Sequence, residues 1–130
     1  MCLEELADFS VKLDENGIGI GWKVFYKNID GKLIGDFKSR SAERPKNKWL
    51  KEGNFRPGEY RHAKKTGYPS YAIGFHVFLT RDGAERWRNG LSDAHTKKIR
   101  FKRLVAMGFQ LEHRCVVAKE IFIPNEVKHD

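Results

Sequence analysis

A chain of 130 residues with 40% hydrophobic and 32% charged side chains is long enough to bury one hydrophobic core and too apolar to remain disordered. No apolar run reaches the roughly 20 residues of a membrane span, and the start "MCLEELADF" is acidic where a secretory signal would be basic and then apolar, so a cytoplasmic protein without membrane contact is expected. Its two cysteines, Cys2 and Cys115, are too few for a disulfide framework, and the net charge of +8 is unevenly placed. Residues 38–65 carry ten Lys/Arg against three Asp/Glu, a net of +7, and residues 81–103 carry eight against three, a net of +5, whereas 1–37 and 104–130 come to −3 and −1. Such segregation suits a surface that meets a polyanion; solubility alone does not require it.

In chain order, residues 1–16 fit a short amphipathic helix or an edge strand. "GIGIG" at Gly17 to Gly21 precedes a strand and does not lead from a strand into a helix, so it reads as a flexible lead-in and not as a dinucleotide fingerprint. Trp22, Val24 and Tyr26 then alternate with Lys23, Phe25 and Lys27, Asp30-Gly31 supplies a tight turn, and Lys32 to Phe37 returns as the second strand of a hairpin. Lys38 to Pro69, rich in Lys, Arg, Asn, Gly and Pro, reads mostly as a long basic loop, with a short helical turn at Asn47 to Glu52 and a chain reversal at Arg56-Pro57-Gly58. "YAIGFHVFL" follows as one strand, with Tyr71, Ile73, Phe75, Val77 and Leu79 on one face and Ala72, Gly74, His76 and Phe78 on the other. Thr80 is placed to cap a helix from about Arg81 to Asn89, with Asp82 at its positive end, Gly90 as its stop, and Ala84, Trp87 and Leu91 on one face. "KKIRFKRLVAM" sets Ile99, Phe101 and Val105 opposite Arg100, Lys102 and Leu104, a strand with one basic face. After Gly108, "RCVVAKEIFIP" gives a terminal strand that stops at Pro124. Five strands and one or two helices, mostly joined by hairpins, make a single α+β domain with a largely antiparallel sheet and a basic excursion at 38–69.

The basic blocks carry the strongest functional signal. Lys38, Arg40, Arg44, Lys46, Lys48, Lys51, Arg56, Arg61, Lys64 and Lys65, interleaved with Trp49, Phe55 and Tyr60, combine phosphate-pairing charges with planes on which bases stack, and Arg100, Lys102 and Arg103 extend the footprint. No helix-turn-helix, zinc finger or RNA-recognition strand is present, so contact with RNA or DNA is expected to read backbone and shape. His76, alone on a strand face beside Gly74 and Phe78, is expected to belong to the architecture of the strand. The histidines are scattered, and only His113-Arg114-Cys115 approaches ligand spacing, so neither a metal nor a cofactor is expected. Removal of Met1 would expose Cys2 as an N-terminal nucleophile, but Leu3-Glu4-Glu5 follows where class II amidotransferases carry Gly. No phosphate-binding G-x-x-x-x-G-K-[ST] loop occurs.

The start "MCL", the strand "WKVFYK" followed by "DGKL", "GFHVF" leading into "RDGAERW", and the late strand "VVAKEIFIP" together resemble a loose group of small, mostly uncharacterised proteins of bacteriophages and other mobile elements. The resemblance implies a compact α+β domain with an accessory role in phage–host conflict, and it supplies no catalytic residues; this chain is more basic than the group. The expected function is therefore a non-catalytic binding protein that engages nucleic acid or a host nucleoprotein complex, for instance as an inhibitor of a CRISPR-type defence effector. A second resemblance is to ADP-ribosyltransferases, in which a "G-x-x-F" strand precedes an Ala-bearing helix as Gly74 to Phe78 precedes Ala84 here. It implies His76 and Glu120 as catalytic residues, although Trp22 to Tyr26 lacks the Arg or His such enzymes use to hold NAD. The third alternative is a protein–protein adaptor anchored by Trp49, Phe55 and Tyr60.

Overall fold

In the computed structural model of the protein, which describes residues 3–27, 33–34, 46–51, 60–62, 70–72, 74–91 and 93–125, the alternating stretches become strands and the capped segment becomes a helix. In chain order the elements are β1 (Glu5–Leu6), β2 (Gly19–Lys27), β3 (Leu33–Ile34), β4 (Trp49–Lys51), β5 (Tyr60–His62), β6 (Ser70–Ala72), β7 (Phe75–Phe78), α1 (Arg81–Arg88), β8 (Ala94–Gln110) and β9 (His113–Phe122). Every pairing among them is antiparallel, which gives the α+β class expected. Seven strands share one sheet in the order β1-β8-β2-β7-β9-β4, with β3 on β2, while β5 and β6 pair apart from it.

The sheet closes on itself because β8 is long enough to serve two partners. Its first half pairs with β2, from Gly19↔Phe101 to Tyr26↔Ala94, and its second half pairs with β9 from Arg100↔Phe122 to Gln110↔His113. β7 bridges the remaining gap, through four pairs to β9 and a single pair, Trp22↔Phe78, to β2. Close approach at that seam requires glycine, since a Cβ on Gly21 would lie 2.7 Å from the Phe78 carbonyl oxygen; against β8, a Cβ on Gly19 would enter the Phe101 ring. Gly19 to Gly21 are thus part of β2 and answer to packing, which corrects the expectation of a flexible lead-in.

Closure divides the core in two. On the inner side, Phe25, Phe75, Val77, Ile99, Phe101, Val116, Ala118, Ile121 and Ile123 form one buried cluster. On the outer side, Val24, Phe78, Ala94, Cys115 and Val117 form a second with Leu3, Tyr71 and Ala84 of the helix. The helix forms as its sequence dictates: Thr80 Oγ1 accepts from the Gly83 N–H at 3.2 Å, Asp82 sits in the first turn, and Gly90 ends it at φ 84°. Ala84 is buried, with Trp87 and Leu91 packed beside it. Among the described residues, no helix is long and apolar enough to cross a membrane.

Several local expectations are corrected. Tyr71 to Leu79 is two strands, not one: the chain breaks at Gly74, where a Cβ would meet the Ala118 carbonyl oxygen at 2.7 Å, and β6 pairs with β5 instead of continuing into β7. Tyr71 therefore lies on the side of His76 and not opposite it. The helical turn expected at Asn47 to Glu52 is replaced by β4, preceded by Asn47 at φ 61°, a conformation asparagine tolerates. Asn47 N–H donates to the Ile123 carbonyl at 2.8 Å and its Oδ1 accepts from Asn125 N–H at 3.0 Å, tying β4 to the end of β9. In β8 the alternation slips by one residue: Phe101 and Leu104 both pack on the inner cluster, as do Ala118 and Ile121 facing them, with Arg103 at φ 62° between. Val105, expected on the face of Ile99 and Phe101, is the unpaired residue where the register shifts between Leu104↔Ala118 and Ala106↔Val117, and it is exposed. β9 begins after a two-residue turn at Leu111-Glu112, not after Gly108, which lies within β8 against the Glu5 carbonyl. Residues 1–16 supply an edge strand, and nine strands are described where five were expected. β3 pairs with β2 as the expected hairpin requires, whereas the turns at Asp30-Gly31 and Arg56-Pro57-Gly58 lie outside the described residues.

Candidate nucleic-acid interface

Beyond the area covered by α1, the register on the outer side of the sheet aligns one residue from each of four strands. Ile20 of β2 faces Arg100 of β8, Arg100 faces Phe122 of β9, and Phe122 faces Trp49 of β4. The next row sets Lys102 opposite Glu120 and Glu120 opposite Lys51. With strands about 4.8 Å apart, the first row spans about 14 Å. The Trp49 and Phe122 rings are 5.6 Å apart between centroids and tilted by 54°, the Arg100 guanidinium lies 5.9 Å from the Phe122 ring, and the Lys102 ammonium lies 4.1 Å from the Trp49 ring. Farther along β8, Lys98 stands 5.7 Å from the ring of Trp22. Cations and aromatic faces thus alternate at cation–π distance.

These rows draw on both basic blocks. Trp49 and Lys51 come from the first, Arg100, Lys102 and Arg103 from the second, and Lys46 and Lys48 are exposed on the segment leading into β4. Phe122 was missed by sequence reasoning, although its position between the inward-facing Ile121 and Ile123 places it on the outer face by simple alternation. Arg40, Arg44, Arg56, Lys64 and Lys65 lie outside the described residues, as do the side chains of Tyr60 and Arg61, whose backbone forms part of β5.

Among the described residues, one acid sits among these cations. Glu120 is 3% exposed, with Oε2 2.7 Å from Arg103 Nε and Oε1 4.0 Å from Lys102 Nζ. It offsets Arg103 most directly, while Arg100 and Lys51 reach solvent. Positive charge also crowds the neighbouring end of β2 and β8: burial, then the charges of Lys27 and Lys46, hold Lys97 below the ordinary lysine pKa. Burial likewise depresses His95, reinforced by Lys27, Lys97 and Arg88 and opposed by Asp93.

His76 has a different setting. Only 2% exposed, it places Nε2 3.0 Å from the Tyr71 hydroxyl, and that hydroxyl accepts from the Leu3 N–H at 2.8 Å. Its carbonyl accepts from Lys23 Nζ at 2.8 Å, and this ammonium, itself buried, lies 6.0 Å from the rings of Phe25 and Phe75. These bonds anchor the N-terminal segment and fill the space where β2 and β7 part beyond their single pair. Glu120, the acid that a transferase-like site would add, is engaged with Arg103 and Lys102, whereas His76 is engaged with Tyr71. Among the described residues, no group of three or more His, Cys, Asp and Glu is placed to hold a metal ion. No family model matches the chain, and no curated protein or solved structure matches it.

Proposed function

We propose that the protein is a small, non-catalytic binding protein of phage or mobile-element type that engages nucleic acid, free or within a host nucleoprotein complex, through the outer faces of β4, β8 and β9. The observation that carries this reading is the convergence of two basic segments, distant in sequence, on two adjacent rows from which Arg100 and Lys102 stand over Phe122 and Trp49. Guanidinium and ammonium groups pair with phosphates, and the rings between them offer planes to bases. Such a surface works by occupancy, without turnover, which suits a role in blocking the guide or target channel of a CRISPR-type effector.

Salt dependence tests the proposal. If Lys48, Lys51, Arg100 and Lys102 each neutralise one phosphate, log affinity falls against log salt with a slope of about −2.8 on a single strand or about −3.6 on a duplex. The double variant Arg100→Ala/Lys102→Ala makes that slope shallower by about 1.4 to 1.8. Absence of RNA and DNA binding at low salt overturns the proposal.

A further inference from the structure

Resting on the nucleic-acid reading, we infer that the ligand is a single strand and that one unpaired base enters a groove beside Arg100. The groove, about 480 Å³, is bounded by Lys12, Leu13, Asp14, Ile18, Ile20 and Arg100, and its volume falls in the range of small-molecule sites. Two side chains that border it, Leu13 at 42% exposure and Ile20 at 53%, are among the large hydrophobics the fold leaves in solvent. An exposed pair of aliphatic residues in a concavity offers an apolar occupant a surface to cover. Charge decides what accompanies that occupant: Lys12 and Arg100 flank the groove, and the Asp14 carboxylate is turned into its own loop, where Oδ1 accepts from the Asn16 and Ile18 amides at 2.8 and 2.9 Å. A planar apolar group joined to an anion is what a nucleotide supplies.

Continuity with the aromatic row extends the inference from one nucleotide to a strand. Arg100 has Ile20 as its cross-strand neighbour on one side and Phe122 on the other, with Trp49 one strand farther. Arg100 therefore has an apolar residue on each neighbouring strand, with backbones about 4.8 Å apart, one side chain for the preceding base and one for the following base. A duplex keeps its base faces stacked within the helix and presents phosphates and edges, so it can use the cations but cannot fill the groove or cover the rings.

The test compares a labelled oligothymidine with a hairpin duplex of equal phosphate number at one salt concentration. Wild-type protein is expected to favour the oligothymidine, and Leu13→Ser/Ile20→Ser to weaken that complex by about 10- to 150-fold, the value of burying one aliphatic side chain, while leaving hairpin binding and its salt slope unchanged. Both side chains are largely solvent-exposed, and an unchanged near-ultraviolet circular dichroism spectrum checks that the variant is folded. Trp49→Ala should produce a loss of the same order that Trp49→Phe largely restores. Equal affinity for the two ligands, unmoved by the groove variant, overturns the single-strand inference and leaves the phosphate-binding proposal standing. Failure of wild-type protein to bind either ligand at low salt overturns both.

Discussion

Glu120 is a carboxylate set against the surface that contains it. It is buried where the face alternation slips in β8 and β9, and it draws Arg103 toward itself and away from a ligand. Glu120→Gln keeps an acceptor for Arg103 Nε while removing the charge. Oligonucleotide affinity is expected to rise and the salt slope to steepen by about 0.7 to 0.9 as one cation is released. Unfolding free energy should fall by no more than about 1 kcal/mol, since the Arg103 partner is largely in solvent. Weaker binding in a titration of the variant would mean that Glu120 organises the cations instead of competing for them. This pairing was not legible in the sequence, where Glu120 is one acid in an acidic flank. His76 was more legible, because a lone imidazole between Gly74 and Phe78 points to a structural position. Its partner was not: on an unbroken strand, residues 71 and 76 face opposite ways, and only the break at Gly74 brings the Tyr71 hydroxyl to Nε2.

At the scale of elements, α1 was readable because its determinants are local: a Thr cap, an acid in the first turn and a Gly stop specify both ends without reference to the rest of the chain. The β8–β9 hairpin was misplaced because its turn carries no turn residues. Gln110↔His113 closes a two-residue loop, and both central residues have positive φ, 51° at Leu111 and 66° at Glu112, as in the turn that Asn-Gly normally fills. Gly108, which reads as the boundary, is instead a glycine that lets β1 lie against β8. The left-handed conformation costs roughly 1–2 kcal/mol for an ordinary residue, and part of this is offset by the lower unfolded-chain entropy of non-glycine residues. Replacing Leu111-Glu112 with Asn-Gly is therefore expected to stabilise the protein by about 1 kcal/mol, read as a higher denaturation midpoint at constant slope. A lower midpoint would indicate that contacts of the native turn, such as the Leu111 N–H donated to Glu4 Oε1 at 2.9 Å, depend on these side chains.

Over the whole molecule, the asymmetry of charge in the sequence becomes an asymmetry in space, and the fold carries it in a way composition does not disclose. The long β8 brings the second basic block beside β9, and β4, paired to the other edge of β9, brings part of the first block to the same surface. Like charges gathered in this way destabilise the compact state unless they are neutralised. His95 reports that cost. It faces Phe25 across β2 and β8, and burial, then the charges of Lys27, Lys97 and Arg88, opposed by Asp93, hold its folded pKa below the ordinary 6.5. Below pH 6.5 the unfolded chain takes up a proton at this position that the folded chain resists. Unfolding free energy must therefore fall as pH drops through 6.5 toward the depressed folded pKa, and the contribution becomes constant once both states are protonated. His95→Gln removes this dependence: the difference in stability between wild type and variant, measured by denaturant titration from about pH 7.5 to about pH 5, should shift in favour of the variant as pH falls. A saturating oligonucleotide places negative charge near Lys27, Lys97 and Arg88, so it should raise the His95 pKa and flatten the wild-type curve. If the nucleotide leaves that curve unchanged, the polyanion is bound away from this end of the sheet, and the cationic crowding around His95 is a cost of the fold that the ligand does not relieve.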